Sequence, residues 1–421
     1  MDKSKSILEN REEKNMFIQK YVDKYQVITL KTNVPGNDKN IKEAYVLINY
    51  FDKLLHNLGF EKSYFLDGAD GPMYIYFTDK NNNVKEKTIK LEESRLGRFV
   101  DIDVFNSYKS ENRTNLRKCF ICDKPAFVCA REKNHSLDEL LKYLKQTVEN
   151  ELVKIIRNLC DKAIMEELNI HPKFGLVTPY SNGSHKDMNY ELMIKAKNAI
   201  LDSLSEMFLV GYKGHDLKEI FRRNRIVGLE AERKMYEATN NVNAYKGLIF
   251  DLGLVLSAAG YILGNSNNEN SIFDVIRTMT VGLTDELKIG NETFGKVAYQ
   301  SYKIDGARGE AERGFPNVQY LLNNNMSNIE SLIYLISNSD DTVLLKRCGS
   351  FEKYQEIKGV FQNMSTEKDK VECLTDKCIE MNLSFGGAAD LLIVYLFIKE
   401  LKNIFKIWDI ITINTNVWLI T

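Results

Sequence analysis

The sequence predicts a multidomain protein, an N-terminal α/β domain followed by a mainly all-α domain. Three observations lead there. At 421 residues the chain exceeds what one hydrophobic core usually supports. Residues 20–105 mix short β-rich runs with helical ones. From Ser136 onward, apolar residues recur almost wholly at helical spacing. We place the domains at 1–150 and 151–402 and leave 403–421 unassigned.

In the first domain, QVITLKT (26–32) and PMYIYFT (72–78) gather β-branched and aromatic side chains and read as strands. Between them, IKEAYVLINYFDKLLHNLG (41–59) carries apolar residues at helical spacing and stops at Gly59. The Asp67–Pro72 segment and the asparagines at 81–83 are turn signals. S-L-D-E is a capping box, Ser136 with Glu139, opening a long helix through Leu144, Val148, Ile156 and Ile164. The domain boundary, near 145–160, falls inside this helical sequence, so a semi-rigid helix is expected to join the domains. Pro172 and Pro179 mark HPKFGLVTPYSNGSHKD (171–187) as a structured connection. LIFDLGLVLSAAGYIL (248–263) and LLIVYLFI (391–398) are too short or carry an acid, which predicts buried helices rather than membrane spans.

With 57 basic and 58 acidic side chains, the net charge of −1 gives no reason to expect nucleic acid or an anionic membrane as partner. The charged start has no apolar core of signal-peptide length, so a cytoplasmic location is expected. Seven cysteines, an odd number, fit reduced thiols better than a disulfide framework.

Three constellations could carry chemistry. In GRFVDIDV (97–104), a strand would present Asp101 and Asp103 on one face, suited to Mg²⁺ on a triphosphate, or simply a solvated edge; Arg98 would pair with phosphate or with a carboxylate. Cys119, Cys122, Cys129 and His135 form a C-x2-C-x6-C-x5-H array, which fits a structural Zn²⁺ and equally fits three buried thiols and a His. The helical half holds six polar clusters, at 175–188, 228–232, 241–247, 306–311, 340–347 and 384–392. Each mixes glycine with acids or bases, and together they predict a shared polar cleft. Lys186, Lys246 and Arg308 are its candidate phosphate ligands, and Asp187, Glu230, Glu310 and Asp390 its candidate acids.

These six clusters, in this order, resemble the triphosphoribosyl-dephospho-coenzyme A synthase family. LGRFVDIDV (96–104) followed by RKCFICDKPAFVCAREKNH (117–135) resembles the citrate lyase holo-acyl-carrier-protein synthase family. The two resemblances cover residues 8–402, as in the fused, bifunctional form of these enzymes. They imply a nucleotidyltransferase-like first domain and two transfers. In one, ATP gives its triphosphoribosyl group to 3′-dephospho-coenzyme A and adenine leaves. In the other, the product is attached to a serine of the citrate lyase acyl carrier subunit and pyrophosphate leaves.

On this resemblance His185, Asp187, Glu230 and Glu310 surround the ribose and metal, and Lys246 and Arg308 face the phosphates. Asp390 joins Asp101 and Asp103 as a Mg²⁺ ligand, Arg98 binds phosphate, and Arg11 is a further candidate. Thr178 and Tyr245 stand where better-known members carry Asp and His, which removes those two roles here. The competing reading is a non-catalytic nucleotide-binding assembly factor for citrate lyase. A third, a zinc-containing DNA-binding regulator, lacks a basic recognition helix.

Overall fold

The structure, a computed structural model, describes residues 3–60, 63–80, 84–110, 116–265, 270–288 and 293–405. The turn expected at 81–83 and most of the unassigned tail lie outside these residues. Two compact units divide the chain, Met1–Leu152 with Asn403–Thr421, and Val153–Lys402.

The first unit contains α1 (Lys3–Gln19), β1 (Gln26–Thr32), α2 (Lys42–Asn57), β2 (Ser63–Leu66), β3 (Met73–Thr78), α3 (Val84–Glu92), β4 (Val100–Phe105), α4 (Ala126–Glu132) and the start of α5 (Leu137–Leu168). Its four strands pair in the order β2-β3-β1-β4, antiparallel throughout. Helix and sheet are therefore mixed as expected, without parallel βαβ units. The strands expected at 26–32 and 72–78 pair directly, Ile28 opposite Tyr76 and Leu30 opposite Tyr74. On one sheet face Ile18 of α1 and Val22 just after it pack with Val27, Met73 and Ile75. The other face meets α2, where the Tyr76 hydroxyl donates to buried Asp52 at 2.6 Å. α1 and α3 escaped the sequence reading because neither carries a strong apolar stripe. The turn at 67–72 is a glycine turn: Gly71, at φ +84°, donates its N–H to Gly68 O at 3.0 Å.

The capping box at the start of α5 is present, with Ser136 N donating to Glu139 Oε2 at 2.7 Å and Glu139 N to Ser136 Oγ at 3.2 Å. α5 continues unbroken past Leu152, the last residue of the first unit's main segment.

The second unit is helical: α6 (Tyr190–Lys213), α7 (Leu217–Ala238), α8 (Lys246–Gly264), α9 (Ile272–Met279), α10 (Phe294–Tyr302), α11 (Gly306–Glu312), α12 (Pro316–Asn323), α13 (Asn328–Asn338), α14 (Thr342–Cys348), α15 (Phe351–Gln362), α16 (Lys368–Glu380) and α17 (Gly386–Ile404). α8 is apolar and long enough to cross a membrane by composition, yet 78% of it is buried inside this unit. Each fully buried Leu, Ile or Val contributes about 1.5–3 kcal/mol, so α8 and the largely buried α17 are core elements, as the sequence predicts.

α6 and α8 approach closely because both carry glycine at their contact. A Cβ on Gly260 would lie 2.1 Å from Phe208 O, and one on Gly211 would lie 1.9 Å from Ser257 O. Gly260→Ala should therefore destabilise the protein by about 1–3 kcal/mol in chemical denaturation. Gly359→Ala in α15, where a Cβ meets nothing within 4 Å, should instead stabilise by about 0.5–1 kcal/mol. Equal behaviour of the two variants would contradict this packing.

Candidate functional site

Five of the six polar clusters of the second unit converge on one cavity of about 700 Å³. The cluster at 175–188 supplies Leu176, Val177 and His185, and 241–247 supplies Tyr245, Lys246 and Gly247. The other three supply Gly306 and Glu310, Lys346 and Arg347, and Ser384 and Asp390. Helices α8 and α17 both start at the cavity wall, bringing their positive dipole ends, with Asn243 taking the first N–H of α8. Gly247 allows this approach: a Cβ there would lie 2.1 Å from Asp390 Oδ2. Buried Asp341 accepts N–H bonds from Val343 (2.8 Å), Leu344 (3.0 Å) and Ala388 (3.2 Å), so one carboxylate caps α14 and also ties down α17.

The cavity is acidic at its floor and basic at its rim. Asp251 is buried, and its Oδ1 has no hydrogen-bond partner. Burial, then the charge of Glu310, holds its carboxyl well above the usual range. Asp390 keeps some solvent access through the cavity but is also held well up, by desolvation and then by Asp251, Asp341 and Glu167. Burial raises Glu310 too, while Asn317 orients it with two 3.1 Å bonds, from its backbone N–H to Oε1 and from Nδ2 to Oε2. Around them stand Lys246, bonded to Glu232 at 2.8 Å, exposed Lys346, and Arg347. Lys173 and Glu167 form a buried pair at 2.9 Å.

His185 lies 3.0 Å from Ser384 Oγ through Nε2, and Arg347 Nη2 stands 3.5 Å from its Nδ1. Burial and then the Arg347 charge lower its pKa, against a smaller upward pull from Asp187. Tyr245 is buried with its hydroxyl unpartnered, and desolvation keeps that hydroxyl protonated.

Not every residue named from sequence reaches this cavity. His185, Lys246, Glu310 and Asp390 line it, whereas Asp187, Glu230, Arg308 and Lys186 do not. Asp187 is exposed and acts on His185 only through its charge. Glu230 lies on the exposed side of α7, bonded to Arg233 at 2.6 Å, because GLEAE is mid-helix rather than a helix end. Arg308 turns toward Glu286, 3.8 Å away. Asp251 was missed, although it is the one acid inside the apolar run 248–263. A charge kept in the middle of a core helix was its available signal.

In the first unit, Asp101 and Asp103 do share one face of β4, partly exposed, while Val100, Ile102 and Val104 are buried. Both are ion-paired: Asp101 with Arg117, and Asp103 with Lys31 at 3.5 Å. Arg117 also bonds Glu92 at 2.6 Å and donates to Val100 O at 2.9 Å. Arg98 donates from Nη2 to Cys119 O at 2.8 Å. Arg11 is bidentate to Asp70, at 2.6 and 3.2 Å. The ligand atoms of Cys119, Cys122, Cys129 and His135 all lie within 4.8 Å of one another.

A family model described as ATP:dephospho-CoA triphosphoribosyl transferase (CitG) matches residues 154–408. One described as apo-citrate lyase phosphoribosyl-dephospho-CoA transferase (CitX) matches residues 3–151. Protein CitXG of Leuconostoc mesenteroides subsp. cremoris is 33% identical, across 94% of this chain and 96% of its own length. The chain belongs to the CitXG family. Protein CitXG of Haemophilus influenzae is 33% identical over 76% of this chain and 77% of its own. The 2-(5''-triphosphoribosyl)-3'-dephosphocoenzyme-A synthase of Haemophilus ducreyi is 32% identical over 67% of this chain and 99% of its own. This CitXG-family chain is thus a transferase with both domains, CitX first and CitG second, and the cavity lies within the CitG match.

The lowered pKa of His185 has a measurable sign. The folded state binds fewer protons than the unfolded chain, so this group's contribution to stability is present above about pH 6.5 and is lost as pH falls from there through the lower folded-state pKa. By NMR, His185 should titrate below the ordinary histidine value, and Arg347→Ala should move the midpoint up. An unchanged midpoint in that variant would remove Arg347 as a cause.

Proposed function

We propose that the CitG domain transfers the triphosphoribosyl group of ATP to the 2′-hydroxyl of 3′-dephospho-coenzyme A in this cavity. We further propose that the CitX domain, nucleotidyltransferase-like, attaches the product to a serine of the citrate lyase acyl carrier subunit. The observation that carries the first reading is one cavity with buried carboxylates at its floor and Lys246, Lys346 and Arg347 at its rim. Its volume suits a nucleotide-sized ligand.

In the first reaction the bond from the ribose anomeric carbon to adenine breaks, and a bond to the 2′-oxygen forms. Positive charge develops on the ribose as adenine departs. Glu310, fixed by Asn317, faces that charge. His185, kept neutral by burial and Arg347, accepts the proton of the attacking hydroxyl. Tyr245 keeps its proton and donates a hydrogen bond to the leaving adenine, in the place where better-known members carry His; adenine departs neutral by taking a proton from solvent, and His185 returns the one it accepted. Lys246, Lys346 and Arg347, with the starts of α8 and α17, take the triphosphate.

Asp390 and Asp251 fit a Mg²⁺ site, since they are hard oxygen donors whose charges repel each other, and Asp251 Oδ1 accepts no hydrogen bond. Mg²⁺ held there would neutralise triphosphate charge. In the CitX domain Asp101 and Asp103 fit the same ion by sharing one face of β4, with Arg117, Lys31 and Arg98 as the nearby cations.

Incubating the full chain with ATP, Mg²⁺ and dephospho-coenzyme A should release adenine, read by chromatography. A folded chain that releases none would favour the non-catalytic assembly factor. Asp251→Asn should lower the rate by about a hundredfold or more. Because burial raises the Asp251 carboxyl, its ionisation destabilises the fold as pH rises above the ordinary carboxylate range, so the same variant should melt higher at neutral pH. Loss of rate together with loss of fold would refute this assignment.

For the CitX reaction, the mass of the purified carrier subunit should increase with wild-type protein. With Asp101→Asn the transfer should slow by about a hundredfold or more, while adenine release is unchanged. Wild-type transfer in that variant would rule out Asp101 as a metal ligand.

A further inference from the structure

We propose that Cys119, Cys122, Cys129 and His135 hold one structural Zn²⁺, and that this ion locks the loop that holds Arg98 and aims Arg117 at the Asp101–Asp103 strand. The second half rests on the proposed CitX reaction; the first does not.

The four ligands come from a built turn. Cys119 N donates to Lys124 O and Ala126 N to Arg117 O, both at 2.8 Å, so residues 117–126 fold back on themselves and bring Cys119 and Cys122 together. α4 then presents Cys129, and Lys133, in the left-handed region at φ +53°, ends that helix and reverses the chain. His135 stands just before the capping box of α5, which holds its backbone in place. Four residues spread over seventeen positions thus meet with all ligand atoms within 4.8 Å.

The spacing matches the ion. Tetrahedral zinc with thiolates at about 2.3 Å requires sulfurs about 3.8 Å apart. Cys122 and Cys129 Sγ are 3.9 Å apart, and Cys129 and Cys119 Sγ are 3.4 Å apart. Cys119 and Cys129 are 4% and 5% exposed, which removes solvent from the centre. His135 Nε2 is also buried and has no hydrogen-bond partner, a costly state for an imidazole unless a ligand takes it. Three soft thiolates and one imidazole select zinc over Mg²⁺ or Ca²⁺, and four protein ligands close the site, which assigns it to structure rather than catalysis.

What the ion holds follows from the contacts of the same turn. Cys119 O accepts the Arg98 bond, and Arg117, two residues earlier, reaches Asp101, Glu92 and Val100 O. Arg98 is therefore anchored to the cysteine loop, and Arg117, which opens that loop, is anchored to β4. The two halves of the chain's chemistry should respond differently to zinc: transfer to the carrier depends on it, and adenine release does not.

The test uses the full chain, purified without a polyhistidine tag under reducing conditions and reconstituted with ZnSO₄. We expect elemental analysis to find one zinc per chain, and cobalt substitution to give a thiolate-to-metal charge-transfer band. Cys122→Ser, at the least buried of the three thiols, should lose both signals, while circular dichroism and limited proteolysis of the full chain report that its first domain is still folded. Its transfer to the carrier should fall on the order of a hundredfold, the scale for a misplaced positioning group. His135→Gln should weaken zinc retention in the same assay.

Wild-type protein without stoichiometric zinc, a Cys119–Cys129 disulfide in its place, or zinc kept undiminished by Cys122→Ser would each overturn the site. Zinc lost with transfer unchanged would overturn the aiming role. Wild-type protein that holds zinc but transfers nothing would refute the CitX reaction and leave the zinc site standing.

Discussion

The helical unit is organised around carboxylates held away from water with little positive charge to balance them. Asp251 and Glu310 are buried, and Asp390 faces the cavity within reach of the Asp251 field. Such an arrangement opposes folding unless the rest of the unit outweighs it. Here the opposing weight is apolar: α8 carries Asp251 in the middle of a nearly continuous buried surface, and α17 carries Asp390 at the head of another. The length and apolarity of α8, which could be mistaken for a membrane signature, and the buried face of α17 are what make room for charge in the interior. Stability is spent in one place so that chemistry can be done there.

The same logic explains the glycines at the helix starts. A carboxylate can stand against the first turn of α8 only because residue 247 has no side chain to exclude it. The positive end of the helix and the acid of its neighbour then share one wall, and the rim cations complete a surface on which anion and metal sites are adjacent. In the first unit the paired acids of β4 are instead neutralised by Lys31 and Arg117, so they stand on a solvent-facing strand without distorting the sheet.

Much of this was legible in the sequence, and the pattern of success is physical. The strands at 26–32 and 72–78, the helix ending at Gly59, the capping box at Ser136 and the buried helices around 248–263 and 391–398 are local signals, written in periodicity and end chemistry. The convergence of polar clusters was legible as well, because glycine beside charge marks a helix end and helix ends face cavities. Where that inference failed, the residue was not at an end: Glu230 sits mid-helix on an exposed face. Asp251 failed in the opposite direction, since periodicity assigns it to a core without saying that the core opens onto a cavity. Side-chain direction also decided Arg308, whose neighbour Ala307 lines the cavity while its own guanidinium approaches Glu286.

One further consequence lies in Asp341. Its carboxylate binds backbone N–H groups at the start of α14 and, across forty-seven residues of sequence, near the start of α17. α14 carries Lys346 and Arg347, and α17 carries Asp390. The basic wall and the acidic wall of the cavity are thus pinned on a common pivot. One buried carboxylate therefore sets the spacing between the cations of α14 and the acid of α17.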